Sequence, residues 1–96
     1  MNDNKLIKKE IIDTVSEKLS YSKKDVDIIL NLIFDIMKES LLNEKTIEIR
    51  GFGTFFVKEM KEKKRFDFKS KKAVITKPSK KVIFKSGIDI IENLNK

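Results

Sequence analysis

The 96-residue chain contains no cysteine, no histidine and no tryptophan. Without cysteine, neither a disulfide framework nor a thiolate metal site can form. The absence of histidine removes the commonest general base and the commonest neutral metal ligand. The acidic residues are scattered along the predicted helices, and no nucleophile is paired with a base. We therefore predict that the chain is not an enzyme and that it holds no metal and no cofactor.

Long apolar runs are also missing, since no stretch approaches the roughly 20 residues of a transmembrane helix. The N-terminal sequence MNDNKLIKKEII lacks the continuous apolar segment of a signal peptide. We expect a cytoplasmic protein that binds neither membranes nor a small-molecule substrate. The length predicts a single domain over residues 1–96. A monomer of this size buries only a marginal core, whereas a homodimer would share a larger one.

The positive charge of the chain lies in one third of its length. Residues 56–85 hold twelve basic and three acidic residues, a net charge of +9, whereas the whole chain carries +7. A solvated charge run is the plain alternative. However, β-type apolar residues border this run, and Phe66 and Phe68 alternate, so both rings would lie on one face of a strand. We interpret the segment as a surface that binds a polyanion.

Two amphipathic helices are predicted before the basic segment. The first has Asp3 or Asn4 as its cap and carries an apolar residue at every fourth position. The second follows Ser22, which with Asp25 resembles a capping box, and it runs to about Leu42. Its apolar residues cover most of the circumference, and too little chain remains to enclose it. We therefore expect a second subunit to cover this helix.

A short strand is predicted after the second helix. Residues 45–50 alternate between polar and apolar side chains, with Ile47 and Ile49 facing inward. Gly51 and Gly53 follow, and glycine permits the positive φ angles of a tight turn or bulge between strands.

A long β-ribbon is predicted to follow this turn. The chain would be extended from Phe56 to a tip near residues 67–70 and would then return, with Pro78 ending the regular pairing. Ser86 is then predicted to cap a short C-terminal helix over residues 87–95.

Several features occur together in this chain: two predicted N-terminal helices, the GFGTF motif at 51–55, a basic arm, and FKSG at 84–87 before a terminal helix. In these features the sequence resembles the HU/IHF family of bacterial DNA-bending proteins from about residue 8 to residue 95. The resemblance implies an α+β fold and an intertwined dimer. Its features are two N-terminal helices, a three-stranded antiparallel sheet with a long β-ribbon arm at about 58–77, and a short C-terminal helix. A homodimer is expected, although a heterodimer would look the same from one chain.

The resemblance also implies that two arms embrace DNA from the minor-groove side. In that family a proline near each arm tip inserts between base pairs, and a glycine follows it. Here Phe68 occupies the wedge position, and Ser70 and Lys71 replace threonine and glycine. Phenylalanine is among the side chains that insert between base steps, so we hypothesise that Phe68 intercalates and kinks the duplex. The alternative is that Phe66 and Phe68 close the arm tip as a hydrophobic clasp or pack on Met60.

We predict a nucleoid-associated architectural protein that binds double-stranded DNA, largely without sequence specificity, and bends or compacts it. The alternative is an RNA or single-stranded nucleic-acid-binding module that stacks bases on Phe66 and Phe68. The predicted DNA-binding residues are Lys58, Lys61, Lys63, Lys64, Arg65, Phe66, Phe68, Lys69, Lys71, Lys72, Lys77, Lys80, Lys81 and Lys85. The predicted dimer-core residues are Ile33, Phe34, Met37, Phe52, Phe55 and Phe84.

Overall fold

A computed structural model of the chain describes residues 4–61, 63–67, 69, 71–76 and 78–96. The chain divides into two compact units, Met1–Glu39 and Ser40–Lys96. The expectation of one domain over residues 1–96 therefore stays a prediction, and each unit is described by itself.

The first helix, α1, runs from Lys8–Leu19. Its N-cap is Ile7, which has extended backbone angles and makes no side-chain cap hydrogen bond. The predicted cap is therefore wrong for Asn4, which lies in a turn, while Asp3 lies outside the described residues. Leu6 is 69% exposed, so a longer helix would bury nothing there, and helices are stabilised mainly by the face that they bury.

The second helix, α2, runs from Lys23–Leu42 and ends where the sequence predicts. The backbone N–H of Asp25 donates to the Ser22 hydroxyl over 3.1 Å. The serine half of the predicted capping box is thereby confirmed, because this bond satisfies one of the free N–H groups of the first turn.

Most apolar side chains of α2 remain exposed to solvent in the single chain. Among the residues that the structure describes, Val26 is the buried hydrophobic side chain, at 4% exposure, whereas Ile33 and Phe34 are 45% and 43% exposed. A helix with so wide an apolar surface needs more than one packing partner. No helix in the described ranges has both the length and the apolar content of a membrane span.

The remaining elements form a three-stranded sheet, a two-stranded ribbon and a short helix. Both sheets are antiparallel, and the three-stranded sheet has the order β1-β2-β5. The predicted α+β class, with its helices, sheet and ribbon, is confirmed, and the intertwined dimer stays a prediction. The elements are β1 (Ile47–Ile49), β2 (Gly53–Met60), β3 (Lys63–Asp67), β4 (Lys72–Thr76), β5 (Ser79–Ser86) and α3 (Ile88–Leu94).

A tight turn joins β1 to β2, as predicted. The N–H of Phe52 donates to the Ile49 carbonyl over 3.0 Å, and Gly51 takes a φ of +82°. Glycine suits this turn because a left-handed backbone costs it no steric penalty. Of the two isoleucines predicted to face inward, Ile47 is half-buried, whereas Ile49 is 37% exposed in the chain.

The chain returns from the ribbon to the three-stranded sheet and the last helix in a way that the sequence predicts only in part. Pro78 lies between β4 and β5, as predicted for a residue without a backbone N–H. The predicted cap at Ser86 is wrong, because Ser86 is the last residue of β5 and pairs with Gly53. Gly87 is the N-cap of α3 and makes no side-chain cap hydrogen bond. Strand pairing therefore prevails over capping at this position.

Candidate nucleic-acid interface

The β2–β5 ladder has two faces of different character. Directly opposite residues share a face, and neighbours along a strand alternate between faces. The register pairs Phe55 with Phe84 and Lys58 with Lys81. The basic face consists of Thr54, Phe56, Lys58, Met60, Ser79, Lys81, Ile83 and Lys85, and the aromatic face of Phe55, Val57, Glu59, Lys80, Val82 and Phe84.

The basic face sets two lysines directly opposite each other. Lys58 pairs with Lys81, Lys85 pairs with Thr54, and all three lysines are exposed. None of these lysines makes an ion pair with another residue in the described ranges. Like charges directly opposite each other destabilise a sheet. The arrangement therefore carries a repulsion that a bound polyanion would relieve.

The aromatic face brings together the three predicted dimer-core phenylalanines of this unit. The ring of Phe84 lies 4.7 Å from that of Phe55 and 5.3 Å from that of Phe52. Such spacings are typical of favourable aromatic pairs. Phe52 and Phe84 nevertheless remain 46% and 41% exposed. The cluster therefore presents apolar surface that the chain itself leaves uncovered.

Lys80 differs from the other lysines of the ladder. It lies on the aromatic face opposite Glu59, and its ammonium nitrogen is 2.8 Å from Oε2 of Glu44. The hydrogen bond to Glu44, with the charges of Glu44 and then Glu59, raises the pKa of Lys80 above its ordinary value. Sequence reasoning missed Glu44, because nothing in its local pattern shows that it contacts a residue 36 positions away.

The arm is a paired ribbon, as predicted. In its backbone register Lys64 pairs with Ile75, Arg65 with Val74 and Phe66 with Ala73. Of the predicted DNA-binding residues of the arm, Lys63, Lys64, Arg65 and Phe66 lie in β3, Lys72 lies in β4, and Lys61, Lys69 and Lys71 lie outside both strands. The predictions for Phe68 and Lys77 fall outside the described residues.

The arm tip shows how the chain replaces the family's glycine. Lys71 has a φ of +55°, which is the left-handed region that an L residue adopts at a cost. Lys71 stands where the HU/IHF resemblance places glycine. Lys71 thus adopts a backbone conformation that glycine would take without steric cost.

A second group of lysines lies in the helical unit. Lys8, Lys9, Lys23 and Lys24 line a cleft of about 570 Å³ between α1 and α2. Lys8 is 3.5 Å from a carboxylate oxygen of Asp27, and it also donates to the side chain of Asn31. Lys23 is 3.2 Å from Asp13. Nearby carboxylates therefore reduce the net charge of this cleft.

Comparison with known proteins assigns the chain to a family. The model of the bacterial DNA-binding protein family matches residues 6–95. The HU protein of Thermotoga maritima is 39% identical over 83 residues, which cover 85% of this chain and 91% of that protein. The chain belongs to the bacterial DNA-binding protein family. Within this family it is an HU/IHF-type chain, as the sequence predicts.

Solved structures support the same assignment. An Anabaena HU–DNA cocrystal structure matches with a TM-score of 0.81 at 25% identity, covering 93% of this chain and 97% of that one. HU from Thermotoga maritima matches with a TM-score of 0.61 at 29% identity, covering 93% and 98%. These matches confirm the predicted HU-type fold.

Integration host factor is a more partial match. Its alpha subunit from Anaeromyxobacter sp. strain Fw109-5 is 41% identical over 58 residues, covering 60% of this HU/IHF-type chain and 59% of that protein. The chain thus spans about three fifths of that relative. Family membership confirms the prediction of an architectural DNA-binding protein and does not favour the RNA or single-strand alternative, while the individual site residues stay predictions.

Proposed function

We propose that the chain binds duplex DNA through the basic face and the arm, largely without sequence specificity, and bends or compacts it. The observation that carries this proposal is the exposed pair of Lys58 and Lys81, directly opposite each other on the basic face. Lys85 lies on the same face. A repulsive pair is a cost in the free protein, and DNA phosphates offset that cost.

Affinity in this proposal comes mainly from counterion release. Each neutralised phosphate contributes about 0.9 to the slope of log affinity against log salt. A lysine lacks the planar fork with which arginine reads guanine, so base readout is weak. Preference then comes from the ease of deforming the DNA, which favours flexible or prebent sites. The DNA in the Anabaena HU–DNA cocrystal structure supports this choice of ligand.

We propose that the working form is a homodimer. A single chain leaves Ile33, Phe34, Phe52 and Phe84 more than two fifths exposed, at 45%, 43%, 46% and 41%. Met37 lies one turn after Ile33 on the same stripe of α2 and is half-buried. A second copy would cover these surfaces and supply the enclosed core that a short chain lacks.

The role proposed for the arm tip is a wedge. Phe68 would insert between base steps and kink the duplex, at an unstacking cost of a few kcal/mol. The test compares DNA bending by Phe68→Ala with bending by Phe66→Ala, which removes the other aromatic ring of the tip. We expect a smaller bend angle only for Phe68→Ala. A wild-type bend angle for Phe68→Ala would instead support the hydrophobic clasp.

The general proposal is tested by titrating the purified protein with linear duplex, prebent duplex and single strands, with its mass in solution recorded. We expect a dimer that prefers duplex to single strands, and prebent to linear duplex. If six to ten phosphates are contacted, affinity falls roughly 10³- to 10⁵-fold between 50 and 200 mM salt. A monomer without duplex affinity at low salt would contradict the proposal. We further propose a non-catalytic role at the nucleoid, which imaging of the tagged protein with the chromosome would check.

A further inference from the structure

We propose that Glu44 holds Lys80 in an ion pair at the root of the arm, so that Lys80 positions β5 and does not bind phosphate. Lys80 and Lys81 are adjacent in sequence and equally basic, and this inference assigns them different roles. It rests on the proposed DNA-binding function, since the roles differ only with respect to DNA. In this proposal Lys80 is therefore no longer one of the DNA-binding residues that the sequence predicts.

The first support is the position of Lys80 on the sheet. Its strand partner is Glu59, whereas the partner of Lys81 is Lys58. Because side chains alternate between faces along a strand, Lys80 shares its face with Val82 and Phe84, and Lys81 projects from the other. A phosphate bound at the basic face would therefore lie on the side of the sheet away from the Lys80 ammonium.

The second support is the backbone of Glu44. Two hydrogen bonds end α2: the N–H of Glu44 donates to the Leu41 carbonyl and that of Lys45 to the Ser40 carbonyl, each over 2.9 Å. This pattern is a Schellman motif with Glu44 at the position where glycine is usual. Glu44 has a φ of +58°, a conformation that costs a glutamate more than a glycine. What the glutamate adds is a carboxylate beside Lys80.

The third support is the local charge balance. The Lys80 ammonium faces Glu44 at 2.8 Å and has Glu59 as its strand partner, so one positive charge meets two negative charges. These two carboxylates already offset the charge of the Lys80 ammonium, so a phosphate gains less from it than from an unpaired lysine. Glu44 and Lys80 line a small cleft of about 230 Å³ together with Leu41, Leu42, Val57, Lys81 and Val82. The ion pair therefore joins the end of α2 to the start of β5 beside apolar contacts.

The experiment uses the full chain and compares Lys80→Gln, its neighbour control Lys81→Gln, Glu44→Gln, and the exchanged pair Glu44→Lys with Lys80→Glu. Duplex affinity is measured across a salt series. We expect Lys81→Gln to reduce the salt slope by about 0.9 and Lys80→Gln to leave the slope unchanged. Glu44→Gln and Lys80→Gln should each weaken binding by roughly two- to fivefold at every salt concentration, and a variant that carries both substitutions should lose no more than either one. The exchanged pair should recover only part of the lost affinity, because it remakes the ion pair but also sets a glutamate opposite Glu59.

The opposite pattern would overturn the inference. If Lys80 binds phosphate, Lys80→Gln lowers the slope as much as Lys81→Gln does, Glu44→Gln tightens binding, and the exchanged pair binds worst. Failure of the proposed function is distinguishable, because the wild-type protein would then not bind duplex at all. In that case the thermal unfolding midpoints of the same variants test the ion pair. If the midpoint falls in the combined variant by the sum of the decreases for Glu44→Gln and Lys80→Gln, the two side chains do not interact.

Discussion

The two faces of the β2–β5 ladder share one strand register, but it pairs like charges on one face and attracting side chains on the other. On the basic face the register sets Lys58 against Lys81, a pair that repels. On the aromatic face it sets Phe55 against Phe84 and Glu59 against Lys80, pairs that attract. The pairs on the aromatic face therefore stabilise the ladder, whereas the lysine pair on the basic face destabilises it and, in the proposed function, binds DNA phosphates. Substitutions on the two faces should separate these two roles.

The largest effect is expected for Phe84→Ala on the aromatic face. The Phe84 ring contacts those of Phe52 and Phe55. In the proposed dimer a second copy also covers the 41% of Phe84 that a single chain leaves exposed, and truncating a phenylalanine buried in this way costs about 3–5 kcal/mol. Chemical denaturation at several protein concentrations measures this loss in the free energy of unfolding. Phe56→Ala is the control, because Phe56 lies on the basic face and is already half-buried within a single chain, so its loss does not report on the second copy. A loss below about 1 kcal/mol would show that no subunit covers the cluster.

Gly53→Ala should destabilise the ladder nearly as much. A Cβ on Gly53 would lie 2.5 Å from the Lys85 carbonyl oxygen and 2.6 Å from the Phe84 ring. Overpacking together with an unfavourable φ costs about 3 kcal/mol. Gly51→Ala is the matched control, because its Cβ would meet nothing within 4 Å, so only the strain of its φ remains. Equal unfolding midpoints for the two variants would contradict this account of the close approach.

Neutralising the basic face should weaken DNA binding without weakening the fold. Lys58→Gln and Lys81→Gln should each reduce the salt slope by about 0.9 and the affinity by about tenfold at 0.1 M salt. The unfolding midpoint of the free protein should rise slightly, because the cross-strand repulsion is removed. Binding titrations and thermal melts of the same samples test both statements. A lower midpoint would show that these lysines stabilise the ladder.

Lys71→Gly extends the comparison to the arm tip and should stabilise it by about 1 kcal/mol. Glycine adopts the φ of +55° seen at Lys71 without the steric cost that lysine carries. Hydrogen exchange of the β3 and β4 amides measures the gain. Lys71→Gln is the control, since it removes the charge and keeps the strained backbone. Equal protection in both variants would mean that charge, and not backbone strain, limits the stability of the tip.

The smallest effect is the pH dependence of the Glu44–Lys80 pair. The pKa of Lys80 is raised in the folded chain, chiefly by its hydrogen bond to Glu44. A raised lysine pKa contributes stability that is fully present below the unfolded pKa of about 10.4 and is lost as pH rises through the folded pKa. The difference in melting midpoint between wild type and Lys80→Gln should therefore be constant from about pH 7 to 9 and shrink above about pH 10.5. A difference that changes between pH 7 and 9 would assign the effect to another group.

Local rules in the sequence determined much of this protein. The Ser22 cap, the end of α2 at Leu42, the turn at Gly51 and the break at Pro78 depend on neighbours within a few residues. For that reason each could be predicted. The concentration of lysines in one segment likewise indicated a polyanion before any fold was known.

Contacts between residues far apart in the sequence set the features that those local rules do not predict. Ser86 is a good cap by composition, yet strand pairing with Gly53 keeps it in β5. Lys80 and Lys81 are the same residue type in the same charge run, and only the strand register separates their faces. The partner of Lys80 is Glu44, 36 residues away. Composition fixes how much charge a chain carries, but pairing between distant residues fixes which charges face a ligand.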